Sequence, residues 1–170
     1  MRKAWPLLFL ILLCWKLPAQ SLGLDPLSEA RKAVAYDPVN DGKRLDLAWN
    51  LMLAGQYEEA LTHYRLVISR DSANADAATG ILWSLSAREL YKDLIGEADT
   101  FMEWLPQSGP LYYYRGLAKF NLGKTTWARM DAKRALKLAP DSFWQGLAAQ
   151  GLSQAYQALD DLPSAKATLK

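Results

Sequence analysis

Residues Asp41–Asn74 read DGKRLDLAWNLMLAGQYEEALTHYRLVISRDSAN. Leu45, Leu47, Ala48, Trp49, Leu51, Met52 and Leu53 crowd the first half. They spread too widely for one apolar stripe, so the pattern predicts a helix covered on two sides. Gly55-Gln56 interrupts it. Tyr57, Ala60, Leu61, Tyr64, Val67 and Ile68 then follow the i, i+3, i+4, i+7 spacing of a second, amphipathic helix. Glu58 and Glu59 open that helix and Arg65 and Arg70 fall toward its end, the charge order that suits the helix dipole. Asp71-Ser72-Ala73-Asn74 reads as a turn, with Asn74 able to cap whatever helix follows.

Outward from this stretch, the same marks recur every 34 residues. Asn40, Asn74, Ser108 and Ser142 keep that interval, as do Ala60, Leu94 and Ala128. Pro38, Pro106 and Pro140 share it, with Ser72 at the second mark, and Trp49 and Trp83 are followed by Leu117. Gly55 and Gly123 stand two intervals apart. A fixed period of this length signals stacked supersecondary units. The Gly109–Ser142 unit repeats the first one closely. The Ala75–Ser108 unit departs from it, with Glu89 in place of glycine, Leu94 and Phe101 in place of small residues, and Ala98 in place of Tyr64. A large-for-small exchange can conserve volume, so this hairpin is expected to pack, with an irregular turn or crossing angle.

Both ends read as partial units. Pro26–Asn40 is a second helix without its partner, and Pro26 suits a first turn. After Ser142, Phe143-Trp144-Gln145 reads as a three-residue insertion, with the pattern restarting late at Leu152, Tyr156, Asp160, Leu162 and Ala165. Pro163 falls near the start of the last helix, where proline is tolerated. That helix has no capping partner, which predicts exposed apolar residues at Leu162, Ala165 and Leu169 and a route to self-association.

The unit resembles a tetratricopeptide repeat (TPR), through Leu47-Ala48, Leu51, Gly55, Tyr57, Ala60, Tyr64 and the Asp71–Asn74 turn. Tyr112, Gly116, Gly123, Ala128, Ala135 and Pro140 carry the same likeness in the third unit. The resemblance implies an all-α, right-handed superhelical array of antiparallel helix pairs. It would run as a partial repeat over 20–40, three repeats over 41–142 and a partial repeat over 143–170. It also implies a concave face formed by the first helix of each pair. Carried onto this sequence, the groove positions are Leu45, Trp49 and Met52, then Thr79, Trp83 and Ser86. Tyr113, Leu117, Phe120 and Asn121 follow, and then Gln150, Gln154 and Gln157. Such a face is aromatic at one end and amide-rich at the other. Leu45 and Leu117 read rather as core, where large apolar side chains belong. Trp49 and Trp83 recur on the period and favour the groove, because aromatic rows carry interface energy. Family members that clamp a C-terminal carboxylate use Lys and Asn where this chain has Leu45 and Trp49, so a clamp is not expected.

Catalytic residues are scarce. His63 is the single histidine and reads as an exposed or half-packed side chain, since general-base work needs an oriented partner. Glu58-Glu59 and Asp160-Asp161 diverge by about 100° on a helix and form no acid–base pair. No phosphate loop or metal-ligand cluster is present, so no cofactor is expected. The chain carries 20 basic and 18 acidic residues, a net +2. Three of the bases, Arg2, Lys3 and Lys16, precede any acid, and without them the balance is 17 against 18. That near-neutral sum makes no electrostatic case for nucleic acid or an anionic membrane surface. Residues 1–19 read as a secretory signal peptide. Arg2-Lys3 start it, an apolar run from Ala4 to Trp15 follows, and cleavage falls after Ala19 or after Ser21. An uncleaved anchor is the competing reading. The only cysteine, Cys14, lies inside the segment, so the exported body would hold no disulfide or thiol. The expected function is a non-catalytic, protein- or peptide-binding scaffold of the bacterial periplasm or cell envelope. The alternative is the N-terminal adaptor part of a larger outer-membrane or envelope protein.

Overall fold

The computed structural model describes residues 25–159 together with 164, 167 and 168. The expected signal peptide and the terminal positions Asp160, Leu162, Pro163, Ala165 and Leu169 lie outside the described residues. Eight helices are bounded within them: α1 (Pro26–Tyr36), α2 (Asp41–Leu53), α3 (Tyr57–Arg70), α4 (Ala75–Ala87), α5 (Tyr91–Trp104), α6 (Gly109–Asn121), α7 (Thr125–Leu138) and α8 (Ser142–Gln157). They form a right-handed superhelical array of antiparallel pairs. Each helix packs on the next in sequence, and α2, α4, α6 and α8 also touch one another in series. These four are the inner layer. The paired helices α3, α5 and α7 form the outer one.

Local chemistry sets the repeat. Asn40 and Asn74 cap α2 and α4 in the same way: each side-chain oxygen accepts from the backbone N–H three residues on, at 3.0 Å. Each amide also donates to the aspartate that opens its turn, Asp37 or Asp71, at 3.3 Å. Asp141 caps α8 through the Trp144 N–H at 3.0 Å. At the hairpin turns, Gln56 N–H donates to Leu51, Leu90 N–H to Leu85 and Lys124 N–H to Lys119. This is the Schellman closure, which needs one residue with positive φ. Gly55 (φ 75°) and Gly123 (φ 73°) supply it freely. Glu89 supplies it at φ 57°. The turn of the middle hairpin is therefore regular and not distorted as its composition predicts: the Schellman bonds impose the left-handed conformation on a residue that disfavours it.

The core follows the two-sided pattern of the inner helices. Ala48, Leu51, Ile81, Leu82, Leu111 and Ala118 are fully buried and meet Ala60, Val67, Leu94 and Ala98 from the outer layer. One cluster runs unbroken from Ala30 to Ala118, and a smaller one joins Ala132, Leu152 and Tyr156. Volume is exchanged between successive junctions. Tyr64 of α3 lays its ring on α4 so closely that a Cβ at Gly80 would sit 2.3 Å from it. One period on, the small residue is Ala98 on α5 and the tyrosine is Tyr114 on α6, both buried. Tyr64–Gly80 and Ala98–Tyr114 are thus the same pair of positions with large and small reversed.

Helix α8 has 16 residues against 13 in α2, α4 and α6. It starts at Ser142, one residue ahead of the mark set by Asp41, Ala75 and Gly109, yet Phe143, Trp144 and Leu147 still line the groove at the 34-residue interval. One of the three additional residues lies at its start and two at its far end, and the helix runs unbroken through Phe143–Gln145.

Candidate functional site

The concave face holds a groove of ≈1260 Å³ lined by the inner helices and the turns between pairs. Its lining repeats on the same period. Leu45, Thr79, Tyr113 and Leu147 form one row, and Trp49, Trp83 and Leu117 a second. Asp46, Gly80 and Tyr114 form a third. The first turns of α4, α6 and α8 add Ala75-Asp76, Gly109-Pro110 and Phe143-Trp144.

Five of the expected groove residues line it: Leu45, Trp49, Trp83, Tyr113 and Leu117, with Thr79 and Ser86 beside them. Leu45 and Leu117 are half-buried and serve both core and groove. Met52 is not at the surface. It is 3% exposed, because it lies on the face of α2 that packs into the core. Phe120 and Asn121 also stay off the lining. Their counterparts one period earlier, Ser86 and Ala87, do line it, and the Asn121 amide donates to the Leu117 carbonyl at 2.9 Å. Gln150 and Gln154 do not line the groove, nor does Gln157. They are displaced by three residues, because α8 keeps the register at its start and presents Leu147, Trp144 and Phe143 instead. The amide-rich end is therefore absent from the groove, and both ends are aromatic.

At one end the Trp49 and Trp83 rings meet edge to face, with centroids 5.2 Å apart and planes at 77°. Trp49 is 46% exposed, whereas Trp83 is half-buried against the core. At the other end Trp144 stands at the centre of a cluster. Its centroid lies 5.9 Å from Tyr113, 6.0 Å from Tyr114 and 5.5 Å from Phe143, all near-perpendicular. Phe143, 65% exposed, forms the lip. Edge-to-face pairs favour this geometry through the ring quadrupole.

Burial raises the phenol pKa values of Tyr64, Tyr113 and Tyr114, that of Tyr64 to about 12 with Asp76 contributing second. These hydroxyls stay protonated and have no protein hydrogen-bond partner among the described residues, so they can bond a ligand. Asp46, Asp76 and Asp141 are the charged residues of the lining, and no Lys, Arg or His joins them. His63 lies away from the groove on α3, half-buried, with its Nδ1 3.1 Å from the Arg44 guanidinium. Burial and that neighbouring cation hold its pKa below the usual 6.5, so the ring is a neutral acceptor at pH 7. The missed residues Phe143, Trp144, Leu147 and Tyr114 are marked by the period itself, continued unbroken through α8.

No protein-family model matches the sequence, and no curated protein matches it either. Solved structures do match. TTC0263, a TPR protein of Thermus thermophilus, superposes with a TM-score of 0.71 at 18% identity, over 84% of this chain and 77% of that one. MamA of Desulfovibrio magneticus RS-1 gives 0.66 at 18% identity, over 84% and 78%. The first TPR of Spaghetti (RPAP3), bound to the HSP90 peptide SRMEEVD, gives 0.62 at 22% identity, over 71% and 93%. The chain has the fold of a tetratricopeptide solenoid.

Proposed function

We propose that this protein is a non-catalytic scaffold whose groove holds a peptide segment or helix of a protein partner, and that it works in the bacterial cell envelope after export. The observation that carries the reading is the continuous aromatic lining of the groove. Trp49, Trp83, Tyr113, Tyr114, Trp144 and Phe143 face one space on a rigid inner layer. The groove exceeds the roughly 300–1,000 Å³ of small-molecule pockets, and aromatic anchors of this kind dominate protein interfaces. The peptide held by the RPAP3 domain, SRMEEVD, is acidic. The groove here carries carboxylates and no cation, so its partner is apolar and neutral or basic. Residues 1–19 are the ground for export.

The test pairs one exposed aromatic from each end. Trp49→Ala with Phe143→Ala should lower the melting temperature by only a few degrees, because neither side chain is part of the buried core. The same variant should lose its partner by more than about tenfold in affinity, measured on the species that wild-type protein captures and cross-links from native envelopes. A folded double variant that captures the same species equally well places the binding face elsewhere.

A further inference from the structure

The near-neutral total conceals a segregation of charge along the array. Residues 25–104 carry fourteen acidic and eight basic residues, a net −6. Residues 105–138, the α6–α7 hairpin with its entry turn, carry seven basic and one acidic residue, a net +6. The compensation differs as well. In the acidic part, Arg31, Lys32, Lys43, Arg65, Arg70 and Arg88 are each paired with a carboxylate. In the hairpin the single acid, Asp131, is buried and spent internally. It accepts from Arg115 at 2.6 Å and from Lys119 at 2.7 Å. The other five cations, Lys124, Arg129, Lys133, Arg134 and Lys137, form no ion pair among the described residues. Arg129 and Lys133 lie over the Tyr156 ring, and Arg134 over Tyr112, contacts that leave their charge uncancelled.

Helix α7 turns Ala128, Asp131, Ala132 and Ala135 inward. Its outward face is formed by Thr126, Trp127, Met130, Lys133 and Lys137, with Arg134 at its edge. Trp127 is 59% exposed and Met130 55%. They are one turn apart, beside cations on the next turns, with no acid between them. Two large apolar side chains in solvent, ringed by unpaired cations, are a combination that needs a partner.

We propose that this outward face of α7 docks on an anionic membrane surface. Lysines attract acidic headgroups, and their alkyl stems let the charge stay at that level. Tryptophan favours the headgroup boundary, and methionine adapts to an irregular apolar contact. A duplex or single-stranded nucleic acid fits less well. The face is a convex ridge of mainly lysines, without a groove to track a strand or the arginine forks that match phosphates. No helix among the described residues is long and apolar enough to cross a membrane, so the contact is peripheral. The net −6 part is repelled by the same surface. The molecule would therefore dock hairpin first and leave its acidic groove open to a partner.

A probe on α7 itself tests this in the full chain, independently of any contribution from residues 1–19. An environment-sensitive fluorophore is attached at Thr126→Cys in a Cys14→Ser background. Vesicles of phosphatidylcholine with phosphatidylglycerol should shift its emission to the blue, and pure phosphatidylcholine should not. About 0.5 M salt should reverse the shift. Lys133→Glu with Lys137→Glu, checked by circular dichroism for an unchanged fold, should weaken the fluorophore-reported association by about tenfold or more. Trp127→Ala with Met130→Ala should keep salt-sensitive attraction but lose most of the shift. An unshifted probe on anionic vesicles overturns the proposal, as does a shift that survives the charge reversal. A probe that responds to a DNA duplex and not to vesicles reassigns the face to nucleic acid.

Discussion

Trp49 and Trp83, at one end of the groove, stand one period apart on α2 and α4, so the same helix position supplies the same side chain twice. At the other end, Tyr114, Phe143 and Trp144 occupy positions that earlier repeats fill with small or polar residues. Tyr114 stands where α4 has Gly80, and Phe143-Trp144 where α4 has Ala75-Asp76 and α6 has Gly109-Pro110. The first end is made by repetition and the second by departure from it. They also differ in depth. Trp49 is 46% exposed, whereas Tyr114 is 7% exposed and belongs to the core cluster. Each end has one aromatic largely or partly in solvent, Trp49 or Phe143, but only the second end also sets one in the buried core, Tyr114.

The largest expected effect tests that difference in depth. Tyr114→Ala should cost about 3–5 kcal/mol of unfolding free energy, because it empties a buried junction between α5 and α6. Trp49→Ala should cost about 1 kcal/mol, the loss of one edge-to-face contact and part of its area. Thermal or urea denaturation of the two variants reads both values. Equal costs would break the comparison.

A second experiment sharpens it on the groove floor, where the large and small positions are exchanged. Gly80→Ala should destabilise by about 1–3 kcal/mol, since its Cβ would strike the Tyr64 ring. In a Tyr64→Ala background the same change should instead stabilise by about 1 kcal/mol, the ordinary helix preference of alanine over glycine. A sign that does not reverse would mean that the two positions are not coupled.

The smallest effect lies in the middle hairpin that separates the two ends. Glu89→Gly should stabilise by about 1 kcal/mol, because a left-handed glutamate is strained where glycine is not. The greater freedom of glycine in the unfolded chain opposes this, so the net gain is modest. An unchanged or lower melting temperature would show that the Glu89 side chain offsets its backbone strain.

Much of the site could be read from Asp41–Asn74 and its period. The rows Leu45–Thr79–Tyr113 and Trp49–Trp83–Leu117 are those that the tetratricopeptide resemblance implies, placed on this chain by its 34-residue interval. The reading failed in α8, where late marks at Leu152 and Tyr156 suggested an insertion before the groove face. The structure keeps Phe143, Trp144 and Leu147 on the groove at the unshifted interval while α8 runs on at its far end, so apolar residues there do not report the register of its first turns. Met52 failed for another reason. On a helix covered on two sides, apolar identity does not say which side is the groove.

By itself the sequence determined the class of fold, the repeat length, the caps at Asn40 and Asn74 and the turns at Gly55 and Gly123. Each rests on interactions within a few residues, which local spacing encodes. Only the tertiary structure decided that Tyr64 lies on Gly80, that Phe143 and Trp144 close the groove, and that the groove carries acids without cations. It also decided that Asp131 is consumed inside the α6–α7 hairpin while the cations of α7 are left facing outward. Those facts depend on which side chains meet across helices separated by a whole repeat. Burial and pairing at that distance are set by how the layers stack, and a charge total or a helical stripe does not record them.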